Sequence, residues 1–395
     1  MEWEKVVDKG DNVFDIPYSW LSLHYYEALT VLFKIENGLR IFVYTILKNE
    51  LLEKWAELSI TSDDADKGTI KSIAEKRINQ AKGFGYLGYT VTSPLMLLTS
   101  GELIRLITSD SYWKYFNKYF KGRKEIIKNK LEEIGQIRNS LAHFRPISTG
   151  DVEVVKQNAN QVLTVIETCI SEMVNCRNIV PTNTGEDWYT EIRGLDTDNC
   201  TLSFSQSVDE QWVKINIQYK CPCIKTKMWG NYSMLSSVLN IKSPAILKEF
   251  PKLCNLIIFL SESVSSDMGE GLVLDIRKEV QVVLSRQVLN DHYIEIKNQI
   301  KEVLLTISQQ TQLITQDNLA KGKIVEVGSA TATRGKSGEY EDWHISTDSL
   351  ALPVKEDDPP EYWGNFSLLS MHFISGTDKY PWMPVAVCPE YDVLF

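Results

Sequence analysis

Three side chains near the middle of the chain have the types and spacing for phosphodiester chemistry. In the run Leu131–Pro146, Arg138 is followed directly by Asn139 and, five residues on, by His143. On a helix Asn139 and His143, at i and i+4, share a face, and Arg138 lies about 100° round from Asn139. An imidazole that titrates near neutrality can take the proton of a ribose 2′-OH or give one to a leaving oxygen. A guanidinium beside it suits the charge that grows on a phosphorane. Pro146 ends the helix just beyond, which leaves His143 in its last turn, where the helix dipole favours imidazolium. Composition alone gives roughly 0.007 such triplets by chance, so the pattern is not incidental. One helix supplies one Arg and one His, so an acid–base pair calls for a second copy from another subunit. This chemistry needs no metal ligand and no cofactor.

The elements that must position this triplet read as helices. Leu29, Leu32, Phe33, Leu39, Val43, Ile46 and Leu47 recur at steps of three and four, predicting a helix from about 22 to 58. Further helices are expected near 68–82, 94–109, 110–122, 124–144 and 151–177, the last capped by Asp151. No convincing strand is read between 20 and 178, so this half is expected to be an all-α bundle of five or six helices. Just before the Arg138 helix, residues 112–130 carry Lys114, Lys118, Lys121, Arg123, Lys124, Lys128 and Lys130 against one acid, Glu125. Lys114, Lys118 and Lys121 fall on one helical face, and with Arg145 these cations make a candidate RNA-binding surface. Trp113, Phe116 and Phe120 fall on another face and read as core rather than as stacking platforms.

The Arg-Asn-x-x-x-His element resembles the signature of the HEPN superfamily, all-α domains found in many RNA-cleaving toxins and antiviral proteins. Two weaker likenesses lie upstream. Phe33-Lys-Ile-Glu36-Asn-Gly-Leu39-Arg40 resembles a Glu-x-x-Leu-Arg stretch on an early helix of some members, and Leu98–Ile107 resembles the segment before the signature helix. The likeness covers roughly residues 20–178. It implies a symmetric homodimer that brings two motifs together and cleaves RNA through the 2′-OH without metal. On that analogy Arg138 and His143 are catalytic, Asn139 positions them, and Glu36 is a lesser catalytic candidate. The residues themselves offer Glu36 a plainer part, an i,i+4 ion pair with Arg40 on a solvated face.

The remaining arithmetic bounds the molecule. The chain has 395 residues, 43% hydrophobic and 24% charged, which excludes intrinsic disorder and fibrous classes and suggests two or three domains. The net charge is −10, yet residues 1–180 hold 23 basic and 23 acidic side chains, so the whole excess falls in 181–395 and only the first half suits a polyanion. Seven cysteines without a framework of close pairs point to free thiols in a reducing compartment. No signal peptide is read in MEWEKVVDKG, and Gly83–Gly101 is too rich in Gly, Pro, Ser and Thr to span a membrane. A cytoplasmic protein with no membrane partner is expected.

Asn178–Gly185 reads as the boundary between an all-α domain, 1–178, and an α+β domain, 186–395. Trp212–Lys220 alternates as a half-buried strand, Cys200–Ser205, Lys323–Val327 and Phe366–Ile374 are further strands, and about 273–312 reads as one long helix broken near Asn290-Asp291. Glu186-Asp187-Trp188 with Trp229-Gly-Asn-Tyr-Ser-Met-Leu is echoed by Glu341-Asp342-Trp343 with Trp363-Gly-Asn-Phe-Ser-Leu-Leu, which raises an internal duplication. Gly83-Phe-Gly85-Tyr-Leu-Gly88 spells a dinucleotide fingerprint but follows a helix rather than a strand, and Cys221-Pro-Cys223 lacks the second pair that zinc needs. The expectation is therefore a metal-independent endoribonuclease, a gated toxin or antiviral effector, whose C-terminal domain meets a regulatory protein or ligand. The alternative is a non-catalytic module whose bundle dimerises or binds RNA and whose second domain recognises a ligand or protein.

Overall fold

The computed structural model describes residues 7–15, 23–60, 68–84, 93–143, 145, 147–176, 181, 184–230, 233–269, 273–337, 340–355 and 357–365. The chain forms two compact units. Among the described residues, the first comprises those up to Val43 together with Thr99–Cys169, and the second comprises Tyr44–Leu98 and the residues from Ile170 onward.

The first unit opens with a small antiparallel ribbon, β1 (Val7–Asp8) and β2 (Phe14–Asp15), turned by Gly10, Asp11 and Asn12, all at positive φ. Helix α1 (Leu23–Leu51) contributes its residues to Val43 here. Taking α2 as Ile70–Phe84 of the second unit, the first unit continues with α3 (Ser100–Thr108), the single turn α4 (Trp113–Phe116), α5 (Lys124–Ala142) and α6 (Thr149–Asn175), which counts here to Cys169. The start of α3 is fixed by a capping box: Thr99 accepts from the Glu102 backbone N–H while the Glu102 carboxylate accepts from Thr99. Leu32, Ile35, Leu39 and Phe42 of α1, Leu103, Ile104 and Ile107 of α3, and Ile127, Leu131 and Ile134 of α5 are buried, and α3 packs on α5. Phe42 meets Tyr119 and Phe120 edge-on, at 5.3 and 6.0 Å between ring centroids.

The second unit carries β3 (Ser59–Ile60) paired with β4 (Gly68–Thr69), then the short helix α7 (Asp187–Ile192) and two larger sheets. Its strands are β5 (Cys200–Gln206), β6 (Trp212–Lys220), β7 (Cys223–Trp229), β8 (Ser233–Ile241), β9 (Phe259–Gly269), β10 (Val273–Ser285), β11 (Val325–Ser337), β12 (Tyr340–Ser346) and β13 (Tyr362–Gly364). Helices α8 (Ser243–Glu249) and α9 (Pro251–Leu256) precede β9, and α10 (Arg286–Thr315) follows β10. The strand orders are β13-β9-β10-β6-β5 and β12-β11-β8-β7. On β6, Val213, Ile215, Ile217 and Tyr219 are almost fully buried and register against Leu284, Val282, Val280 and Lys278 of β10. Ile296, Ile300, Val303, Leu304 and Ile307 of α10 join the same core.

The expected HEPN-like all-α bundle over the first 178 residues is overturned. Two antiparallel ribbons lie in that stretch, and residues 44–98 and 170–176 belong to the unit that holds the sheets. The physical reason lies in contacts that helical periodicity does not reveal. Buried Lys48 of α1 donates to Glu361 at 2.6 Å and to the Cys254 carbonyl at 3.1 Å, and the Tyr44 hydroxyl donates to the Ile258 carbonyl at 2.6 Å. The ribbons are too short to show alternation.

Other elements also differ from expectation. The helix expected over 110–122 is only α4 plus a 3₁₀ turn, Asn117–Tyr119. The long helix expected from 273 is a strand to Ser285, and α10 begins at Arg286 with a non-helical His292 where a break near Asn290-Asp291 was expected. Leu274, Ile276, Val280, Val282 and Leu284 occupy alternating inward positions of β10, but Lys278 sits among them fully buried and hides the period of two. Of the echoed motifs, Glu186-Asp187-Trp188 lies at the start of α7 and Glu341-Asp342-Trp343 in β12, while Gly230 and Gly364 share a φ of +64°. The expected strand Phe366–Ile374 and the glycines Gly85 and Gly88 lie outside the described residues.

Candidate functional site

In the first unit a cluster of polar side chains surrounds the buried carboxylate of Glu36. Glu36 is on α1, and its neighbours come from three helices. On α1 itself, Arg40 stands one turn on and pairs with Glu36 Oε1. From the first turn of α3, Ser100 Oγ donates to Glu36 Oε2 at 2.7 Å. From α5, Arg138 Nε donates to the same oxygen at 3.1 Å. Burial raises the Glu36 pKa, but the charge of Arg40, the Ser100 hydrogen bond and the charge of Arg138 more than offset it and hold the carboxyl below its usual range. Arg40 is oriented in turn by Asn37 Oδ1 at 3.2 Å, and Asn37 is itself tied to the Phe33 carbonyl.

The solvated i,i+4 ion pair expected for Glu36 is therefore only half of the arrangement. The pair with Arg40 exists, but both side chains are 11% exposed and the carboxylate reaches across to α5 as well. Ser100 was not singled out from the sequence. Its signal was the Thr99-x-x-Glu102 box, which places Ser100 at the first helical position. The space around the cluster, lined by Leu32, Leu39, Ile104, Leu131, Gly135 and Arg138 among others, amounts to about 10 Å³, room for one water at most. The cluster therefore has no room for a ligand inside, and Arg138 is the member of it that reaches solvent.

On that outward side Arg138 is 35% exposed. With Nε on Glu36, its Nη1 lies 3.4 Å from Asn139 Oδ1. His143 caps the C-terminus of α5: its backbone N–H donates to the Asn139 carbonyl at 3.1 Å. Both Asn139 and His143 are exposed, and the imidazole has no hydrogen-bond partner among the described residues. Four residues of helix, 139–142, lie between Arg138 and His143, a rise of about 7.5 Å along the axis. The helix end thus presents a pinned guanidinium, an amide and an open imidazole.

The cations expected to hold RNA lie around the same helix but not on one helical face. Lys114 and Lys118 fall on α4 and the 3₁₀ turn after it, and Lys121 and Arg123 follow in the loop before α5. All four are exposed. The Lys114 and Lys118 ammoniums sit over the rings of Tyr115 and Tyr119, at 4.8 and 5.2 Å. Lys124 pairs with Asp110 and Lys128 lies 3.7 Å from Glu132. Arg145 is exposed. Phe116 and Phe120 are buried, and Trp113 stacks on Phe120.

Cys221 is buried and Cys223 exposed. Among the described residues no group of three His, Cys, Asp or Glu side chains is placed to hold a metal ion. No helix among them is long and apolar enough to cross a membrane. No protein-family model, no curated protein and no solved structure matches this chain.

Proposed function

We propose that this chain is a metal-independent endoribonuclease that acts as a homodimer in the cytoplasm. The observation that carries the reading is the end of α5, where an Arg138 pinned through Nε by a buried carboxylate precedes an exposed His143. Holding the guanidinium in advance limits the rotamer freedom it loses when it meets a phosphate. In the proposed reaction the 2′-oxygen attacks phosphorus and its proton passes to one imidazole. The P–O5′ bond breaks, the 5′-oxygen takes a proton from a second imidazole, and a 2′,3′-cyclic phosphate remains. The two imidazoles come from two copies of the chain. Arg138 stabilises the phosphorane charge, Asn139 orients it, and Glu36 is a positioning residue because it is buried and both its oxygens are engaged by Arg40, Ser100 and Arg138. Lys114, Lys118, Lys121, Arg123, Lys124, Lys128 and Arg145 supply the field that draws in RNA. The Arg-Asn-x-x-x-His likeness to HEPN ribonucleases supports the same chemistry through the motif alone. A nuclease of this kind is toxic unless gated, so we assign the acidic C-terminal part to sensing a trigger or binding a regulator in a defence or toxin role.

The test is RNA cleavage in excess chelator by the parent chain, His143→Ala and Arg138→Ala, with a substrate carrying a 2′-deoxy residue at the cleaved position as control. Cleavage confined to the parent chain and to ribose-containing substrate supports the proposal. Equal cleavage by the three proteins defeats it. The closed Glu36 cluster also suits a purely structural tie within a binding module, and that reading gains if RNA binds but His143→Ala changes neither binding nor any cleavage.

A further inference from the structure

We propose that strand β7 is a docking edge for an extended acidic peptide, added as a fifth strand to the sheet β12-β11-β8-β7. The inference is independent of the ribonuclease reading and rests on the second unit alone. β7 pairs with β8 on one side, and among the described residues no strand pairs with its other side. All seven of its residues are exposed. They include three large apolar side chains, Ile224 at 40%, Met228 at 58% and Trp229 at 50% exposure. A strand of this length with a free edge offers a row of backbone donors and acceptors that another extended chain can match.

Charge selects the partner. From the register with β8, Lys225 opposes Ser237, Lys227 opposes Leu235 and Trp229 opposes Ser233, so these three share one face, while Thr226 and Met228 share the other with Ser236 and Met234. The Lys227 ammonium lies 5.5 Å from the centre of the Trp229 ring. In the two-fold antiparallel register centred on Thr226 a second copy of this chain fits poorly, because each Lys225 would face the other copy's Lys227, and directly opposed like charges destabilise a strand pair. The same lysines favour a strand with carboxylates at two alternating positions and apolar side chains between them, which would lie beside Thr226 and Met228. They stand out in a half of the sequence whose net charge is −10. A nucleic acid would use the lysines and Trp229 but would leave the backbone edge unmatched, so the geometry favours a peptide.

The experiment uses the full chain and a fluorescein-labelled peptide alternating Glu with Val, beside a Lys/Val peptide and a mixed-sequence RNA oligonucleotide, read by anisotropy. Saturable binding of the Glu/Val peptide is expected, with slowed amide exchange at residues 223–229. The double variant Lys225→Glu/Lys227→Glu, changed only at exposed positions, should weaken it by about ten-fold or more and gain affinity for the Lys/Val peptide. No saturable binding up to about 1 mM overturns the proposal. So does equal binding of the two peptides, or RNA binding tighter than peptide with the same dependence on Lys225 and Lys227. Self-association of the parent chain that protects residues 223–229 without peptide assigns the edge to a second copy and overturns it as well.

Discussion

Replacing Glu36 by alanine should loosen α5 far more than an ordinary helix-surface change. The substitution removes the acceptor shared by Arg40, Ser100 and Arg138 and leaves an Arg40 side chain that is 11% exposed without its carboxylate. Removing one partner of a buried pair costs about 3–5 kcal/mol. Arg138, at 35% exposure, can turn part of its charge to water, so the lower end, about 3 kcal/mol, is the better figure. That corresponds to roughly a 100-fold larger opening equilibrium for the amides of Lys124–Ala142, readable as faster hydrogen exchange. Glu36→Gln, which keeps one acceptor oxygen and loses the charge, should show about half of that effect in free energy. The pH dependence follows from the direction of the shift. The folded-state pKa of Glu36 lies below its unfolded value, so its stabilisation is complete above about 4.3 and fades as the pH falls through the lower folded value. The difference between parent and Glu36→Gln should therefore be flat from neutrality to about pH 5 and shrink in more acidic solution. Exchange in α5 that stays within about three-fold of the parent in Glu36→Ala would refute the claim that this carboxylate holds the helix.

His143→Ala should lower RNA cleavage by about 100-fold or more without changing the far-ultraviolet circular dichroism, because the ring is exposed and makes no contact that folding needs. Lys278→Met should destabilise the second unit by about 3–5 kcal/mol in denaturant unfolding. It strands the equally buried Glu262, 2.8 Å away, and the carbonyls of Ile241 and Leu350 that Lys278 now bonds. Burial pushes the thiols of Cys176, Cys200 and Cys221 up to about 12. Brief iodoacetamide treatment at pH 8 should thus modify exposed Cys223 and spare those three until the protein is unfolded, as read by peptide mass spectrometry.

What the residue pattern could show was set by how local the governing contacts are. Strand β6 was legible over its whole length because Val213, Ile215, Ile217 and Tyr219 alternate with polar residues. The limits of α5 and α6, at Lys124–Ala142 and Thr149–Asn175, lie within two residues of those expected, with Pro146 marking the break between them in sequence; Asp151, expected as the cap of α6, lies in its first turn instead and bonds Ser148. The all-α reading of the first 178 residues failed where partners are remote: Lys48 finds Glu361, 313 residues away. Serine at position 100 carried no signal of its own, because nothing at short range shows that a first-turn hydroxyl of α3 points at a carboxylate 64 residues earlier.

The two hidden charges, Glu36 and Lys278, also separate structure from function. Each occupies an inward position where the pattern asks for an apolar side chain, and each is satisfied by partners from other elements. Lys278 and Glu262 are both completely shielded, and the ammonium spends its charge on an ion pair with Glu262 and two hydrogen bonds to the carbonyls of Ile241 and Leu350, so that pair can join β9, β10 and the end of β8 but offers nothing to solvent. Glu36 is shielded too, yet one of its partners is not: Arg138 carries the charge out to the surface, beside Asn139 and five residues before an open His143. A charge buried at one end and presented at the other is oriented before any ligand arrives, which is the property that transition-state stabilisation requires and that a sealed pair lacks.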